Sequence, residues 1–173
     1  MLLTLSTMES LALAALTGIM TANEQLTTVA AMVLTGLVAG TYFAYASSVM
    51  LALGRADDRT FIAVMQKINV VIQNPVFFAA FFGAPVFAGI TVGLQMSDGG
   101  ASGVRVAALV LNVVALLITV GANVPLNNAL AAAGEAAEIG DPGGVRRRFE
   151  RAWNAWNVTR TVVLVAALVC LGV

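Results

Sequence analysis

The chain contains no histidine and only one cysteine, Cys170, among its 173 residues. Without imidazole it can build neither a His-held haem nor a His-ligated zinc, copper or iron site. A lone thiol rules out a disulfide within the chain and a thiolate metal cluster. Cys170 sits in an apolar run and reads as a small hydrophobe. Charge is scarce too: Asp, Glu, Lys and Arg make up 10% of the residues, whereas soluble domains carry about 25%. So few charges cannot solvate a water-facing surface. Acidic and basic residues balance at nine each, for zero net charge, which argues against nucleic acid as a partner. No Gly-rich nucleotide fingerprint is present. What remains is 60% apolar, and lipid is the better solvent for it.

A membrane-spanning helix needs about 20 mostly apolar residues. Four stretches qualify, near 26–53, 75–96, 106–133 and 153–173. The expected fold is all-α, a transmembrane four-helix bundle occupying residues 26–173. Residues 1–25 form an N-terminal extension, open at this level between an interfacial segment, a disordered one and an extra spanning helix. Seven of the nine basic residues fall in the loops 54–74 and 134–152. Basic residues favour the cytoplasmic side, so a multi-pass protein of the cell membrane with both loops cytoplasmic is expected. Within the first loop, Asp57 or Asp58 can cap an amphipathic helix whose apolar positions are Phe61, Met65, Ile68 and Ile72. That helix should end near Asn74, because Pro75 follows. Asp141-Pro142-Gly143-Gly144 reads as a turn or flexible break. The arginine run Arg146-Arg147-Arg148 reads as a topology signal and a contact for anionic lipid. The pairs Gly36/Gly40 and Gly89/Gly93 have small-xxx-small spacing and predict close helix contacts within one bundle; a homo-oligomer stays open.

Unpaired polar groups are expensive in hydrocarbon, so their placement is informative. Asn123 and Asn127 lie one turn apart near one end of the third span, and Asn112 is three turns earlier. On the fourth span Trp153, Asn157 and Arg160 recur at i, i+4 and i+7, with Trp156 one turn before Arg160. Tyr42 and Tyr45 lie in the corresponding half of the first span. Gln66, Asn69 and Gln73 share a face of the loop helix, and Asn74 precedes the second span. All but Asn112 map to one end of the bundle. If these faces converge, they form a pocket walled by aromatics, floored by amides and holding one guanidinium. Such a pocket suits a planar aromatic small molecule. Arg160 is the sharpest signal, since a helix-centre Arg costs about 2.5–3.5 kcal/mol on the insertion scale. The plainer readings are an interfacial belt for the tryptophans and helix-to-helix hydrogen bonding for the asparagines.

Four ordered segments carry a resemblance: Thr35-Gly36-Leu37-Val38-Ala39-Gly40-Thr41-Tyr42-Phe43-Ala44-Tyr45; Met65-Gln66-Lys67-Ile68-Asn69 with Asn74-Pro75-Val76-Phe77; Asn123-Val124-Pro125-Leu126-Asn127; and Trp153-Asn154-Ala155-Trp156-Asn157-Val158-Thr159-Arg160. Together they resemble the anthrone oxygenase-like family of small membrane proteins, from about residue 30 to the C-terminus. The resemblance implies oxidation of a polycyclic phenolic substrate by O₂, with no metal and no organic cofactor. Arg160, Asn123, Asn127 and Asn157 would stabilise an oxyanion, and Glu150 is the nearest carboxylate for a proton-accepting role. Tyr42, Tyr45, Asn69, Asn74, Trp153 and Trp156 would bind substrate. The residues leave a second class open: a non-catalytic membrane component that binds a lipid or quinone, or an accessory subunit. A proton-coupled exporter needs a titratable group within a span, and none of the four spans holds Asp, Glu or His.

Overall fold

A computed structural model describes residues 2–97 and 99–173, with side chains from Thr7 onward. Met1, part of the predicted extension, lies outside the described residues. Helix α1 (Leu2–Ala44) passes through a π-turn (Tyr45–Val49) into a last helical turn, α2 (Met50–Leu53). At about 1.5 Å per residue this rod is more than twice as long as the ~30 Å hydrocarbon core. It has no break near residue 25, so residues 2–25 and the first predicted span belong to one continuous helix. Residues 7–19 are exposed. Packing on the bundle starts at Glu24, whose Oε1 accepts from Gln95 Nε2 at 2.5 Å.

The loop helix α3 (Asp58–Val71) follows, then α4 (Pro75–Ser97), and α5 (Gly103–Ile118), which continues through a second π-turn (Thr119–Asn123) into α6 (Val124–Ala132). The chain closes with α7 (Pro142–Gly172). Four of these rods are long and apolar enough to cross a membrane: Thr7–Leu53, Pro75–Ser97, Gly103–Ala132 and Pro142–Gly172. They form a ring in which α1 and α5 each pack on both α4 and α7. Among the described residues there is no strand. The protein is an all-α, multi-pass membrane bundle in contact with lipid.

Local chemistry sets the helix ends. Asp57 caps α3, its carboxylate accepting from the Thr60 amide at 3.0 Å and the Thr60 hydroxyl at 2.6 Å. Those bonds, the hydroxyl's first, hold the Asp57 carboxyl below its usual pKa. Phe61, Ile62 and Met65 are fully buried, so α3 packs beneath the bundle against α6 and α7. Residues 141–144 are not a flexible break. Asp141 caps α7 by accepting from Gly144 N at 2.9 Å, and Pro142 takes the first helical position, where its missing N–H and fixed φ cost nothing. A β-carbon at Gly144 would stand 2.1 Å from Asp141 Oδ2, so only glycine fits under this cap. The last helix therefore starts three turns before the predicted 153.

The glycine pairs do not mark the closest contacts. A β-carbon at Gly40 or Gly93 would meet nothing within 4 Å, whereas one at Gly83 would come within 2.9 Å of Leu34 Cδ1. Three core clusters stack along the bundle. At the end away from the long basic loops, Ala31, Ala88, Ala108 and Leu171 let the helices approach closely. The middle cluster includes Val38, Tyr42, Phe81 and Leu164. At the loop end Phe61, Met65, Leu130, Phe149 and Trp153 seal the base. Asn112, outside the polar group predicted to converge, donates to Ala108 O at 3.0 Å and accepts from Thr35 Oγ1 at 3.1 Å. It joins helices. Thr35→Val, which removes only the hydroxyl, should destabilise the bundle by about 0.6 kcal/mol and by no more than about 1.7, as read by reversible unfolding in detergent.

Candidate functional site

Between the middle and loop-end clusters lies a cavity of about 290 Å³. A single water needs only about 10–15 Å³ by the same measure. Side chains from α1, α3, α4, α6, α7 and both π-turns reach it. Eight of the predicted site residues line it: Tyr42, Tyr45, Asn69, Asn123, Asn127, Trp153, Asn157 and Arg160. Their convergence follows from helical phase. On α7, Trp153, Asn157 and Arg160 share one buried face with Leu164. Tyr45 opens the first π-turn, and Thr119 and Asn123 bound the second. Such turns concentrate at functional sites, because the extra residue re-aims the side chains beyond it.

Arg160 dominates the electrostatics. It is 3% exposed, and among the described residues it makes no ion pair. Both ion pairs there belong to Arg146. Its partners are neutral: Nη1 donates to Thr119 Oγ1 at 3.0 Å and Nη2 to Asn157 Oδ1 at 3.2 Å. Its guanidinium carbon lies 3.9 Å from the Tyr42 ring centroid, a cation–π contact. Arg160 Nε is buried with no hydrogen-bond partner. Asn157 Nδ2 donates to the Tyr42 carbonyl at 3.0 Å, which ties α7 to α1 just before the π-turn. The Thr119 hydroxyl gives its proton to Ala115 O at 2.9 Å. It therefore accepts from both Arg160 and, at 3.4 Å, the Tyr42 hydroxyl. Two more buried amide atoms on the cavity wall lack partners, Asn123 Oδ1 and Asn69 Nδ2.

The walls are aromatic. Trp153 Nε1 donates to Asn127 Oδ1 at 2.9 Å, fixing the indole. Its ring meets Tyr45 at 5.7 Å and stacks on Phe149 at 6.0 Å between centroids. Across the cavity Phe77 and Phe81 stack at 5.5 Å, with 14° between planes. The chemistry on offer is a slot for a flat apolar body, with a guanidinium at its inner wall for an anionic oxygen.

Three predicted residues lie elsewhere. Trp156 is 42% exposed, because it falls on the flank of the stripe formed by Trp153, Asn157 and Arg160. Asn74 caps α4, accepting from Phe77 N at 3.0 Å. Glu150 does not line the cavity and is paired to Arg146 Nε at 2.7 Å. Arg146 also bonds Asp58 and the carbonyls of Gly54 and Ala56, so this member of the arginine run ties the loop end together internally. Gln66 bonds the carbonyls of Leu130 and Gly134. Thr119 is the residue that sequence reasoning missed. It sits four residues before Asn123 and eight before Asn127, so a polar stripe at helical spacing would have included it.

If Arg160 serves a ligand rather than the fold, its charge is a cost to the resting protein. Arg160→Met, similar in length, should leave thermal stability in detergent within about 1 kcal/mol of wild type or raise it. A loss of several kcal/mol would mark the guanidinium as a structural strut.

No curated protein and no solved structure matches the chain. A family model described as anthrone oxygenase matches residues 69–170. The match begins later than the resemblance implied, so Thr35 to Tyr45 lie before it. It takes in Asn69, Gln73, Thr119, Asn123, Asn127, Asn128, Trp153, Asn157 and Arg160, the polar lining of the cavity apart from Thr41, Tyr42 and Tyr45. With more than half of its length matched, this multi-pass membrane protein belongs to the anthrone oxygenase family.

Proposed function

We propose that the cavity binds a planar polycyclic phenol or enolisable ketone as its anion, and that the protein oxidises this substrate with O₂ without help from a cofactor. The observation that carries the reading is the buried Arg160 guanidinium, which has only neutral partners and an unsatisfied Nε beside the aromatic slot. A preorganised donor aimed at a developing oxyanion is worth most in a site shielded from water. For an anthrone-type substrate, loss of one methylene proton gives a delocalised anion whose charge rests largely on oxygen. Arg160 stabilises that oxygen, with Asn157 and Thr119 holding the guanidinium in place. Trp153 and the Phe77–Phe81 pair hold the ring system flat. The electron-rich anion reduces O₂. One oxygen atom becomes the new carbonyl, and the other leaves as water with the two methylene hydrogens. Among the described residues no carboxylate lines the cavity, so deprotonation rests on anion stabilisation, with water or the Tyr45 hydroxyl receiving the proton. The basic residues of the two long loops support a cytoplasmic-leaflet position for this end of the bundle.

A second reading is binding without turnover, of a quinol or similar anionic amphiphile. The missing carboxylate is the observation in its favour. Oxygen uptake by purified protein in lipid, supplied with an anthrone, separates the two. Turnover should appear in metal-chelated protein and fall by about 100-fold or more in Arg160→Met. Saturable binding with no oxygen uptake would establish the second reading.

A further inference from the structure

The cavity has a side entrance. Four residues that line it are also exposed on the flank of the bundle: Phe78 at 38% and Phe82 at 51% on α4, Val120 at 56% and Val124 at 40% on the facing rod. A side chain that walls a cavity and also meets the exterior marks its mouth. The mouth falls where α4 parts from its neighbour: α4 packs along α5 but not appreciably on α6, beyond the π-turn. Its rim is graded. Toward the loop end stand the exposed amides Gln73 and Asn128. Deeper in the span stand Val124 and Phe78, then Val120 and Phe82. From Asn128 to Val120 the rim covers about 12 Å of helix, running from exposed amides to exposed apolar side chains. Polar rim, apolar rim and inner cation follow one another in the order of an amphiphile's own parts.

We infer that the ligand enters sideways from the bilayer leaflet through this seam. This rests on the functional reading above and narrows its substrate class. The substrate is a membrane-dissolved aromatic amphiphile with an apolar body and one ionisable oxygen, and it carries no permanent charge. Its neutral form crosses the apolar rim, and ionisation follows beside Arg160. A permanently charged, water-soluble analogue would have to strip its hydration to pass the same rim.

The test measures access rather than catalysis, so it stands or falls apart from oxygen uptake. In a Cys170→Ala background, Asn123→Cys puts a thiol on the inner wall, and Asn127→Cys serves if the first variant fails to fold. Permeabilised proteoliposomes are treated with two maleimides, N-ethylmaleimide and a sulfonated one, each calibrated against free glutathione. The apolar reagent should label about tenfold faster or more, since the sulfonate pays a desolvation cost at the rim. Val120→Trp, which narrows the apolar seam, should slow it severalfold, and Gln73→Trp should not. Equal rates for the two reagents, or slowing by Gln73→Trp alone, would show entry from water and overturn the proposal. Labelling by neither would show a seam closed or filled by phospholipid and would overturn it equally.

Discussion

A positive charge buried without a negative one constrains everything around Arg160. Charges buried in apolar surroundings are normally neutralised by a partner of opposite sign. Here the guanidinium is held by a hydroxyl, an amide oxygen and the face of Tyr42. Each holder is itself fixed. Thr119 hands its proton to Ala115, and Asn157 grips the Tyr42 carbonyl across the α1–α7 seam. The charge is partly dispersed and never cancelled. That arrangement is a poor way to stabilise a bundle and a good way to stabilise an anion that arrives later.

The clusters on either side let the middle stay hollow. Away from the loops, small residues such as Ala31, Ala88 and Ala108 bring backbones together, and hydrogen bonds from Thr91 to Thr27 and from Gln95 to Glu24 join α4 to α1. At the loop end, long side chains bond to carbonyls that helix and turn ends leave free. Arg59 takes those of Ala136, Ala137 and Ile139, while Gln66 takes two at the end of α6. With both ends fixed, the cavity walls need not move when charge develops inside, which is the condition for electrostatic preorganisation. The same tying leaves one flank less packed, along α4 and α6.

Much of this was legible in the residues. Hydropathy located all four spans, and the i, i+4, i+7 phase of Trp153, Asn157 and Arg160 predicted a shared face that the structure has. The errors have physical causes. Asp141-Pro142-Gly143-Gly144 has the composition of a turn, but cap, proline at the first position and glycine under the cap are also how a helix begins. Trp156 shares a turn with Arg160, but its phase puts it on the flank, where a half-exposed indole suits the interface. Glu150 drew attention as the nearest carboxylate. Its i−4 neighbour Arg146 claims it, the plainer pairing that helical spacing favours. Thr119 shares the helical spacing of Asn123 and Asn127, but a threonine in a span satisfies itself on its own helix, as this one does on Ala115 O, and its composition alone gives no sign of the Arg160 contact.

If the buried guanidinium serves a ligand, Arg160 makes this cavity a better home for an anion than for the neutral molecule. The most direct measurement is an absorbance titration of a hydroxyanthraquinone bound to the protein in lipid, compared with the same dye in lipid alone. The bound phenol should ionise at lower pH than in bare lipid, and Arg160→Met should abolish the difference, each pKa unit corresponding to about 1.4 kcal/mol. A bound phenol whose pKa is unchanged or raised, or is lowered equally in the variant, would contradict it.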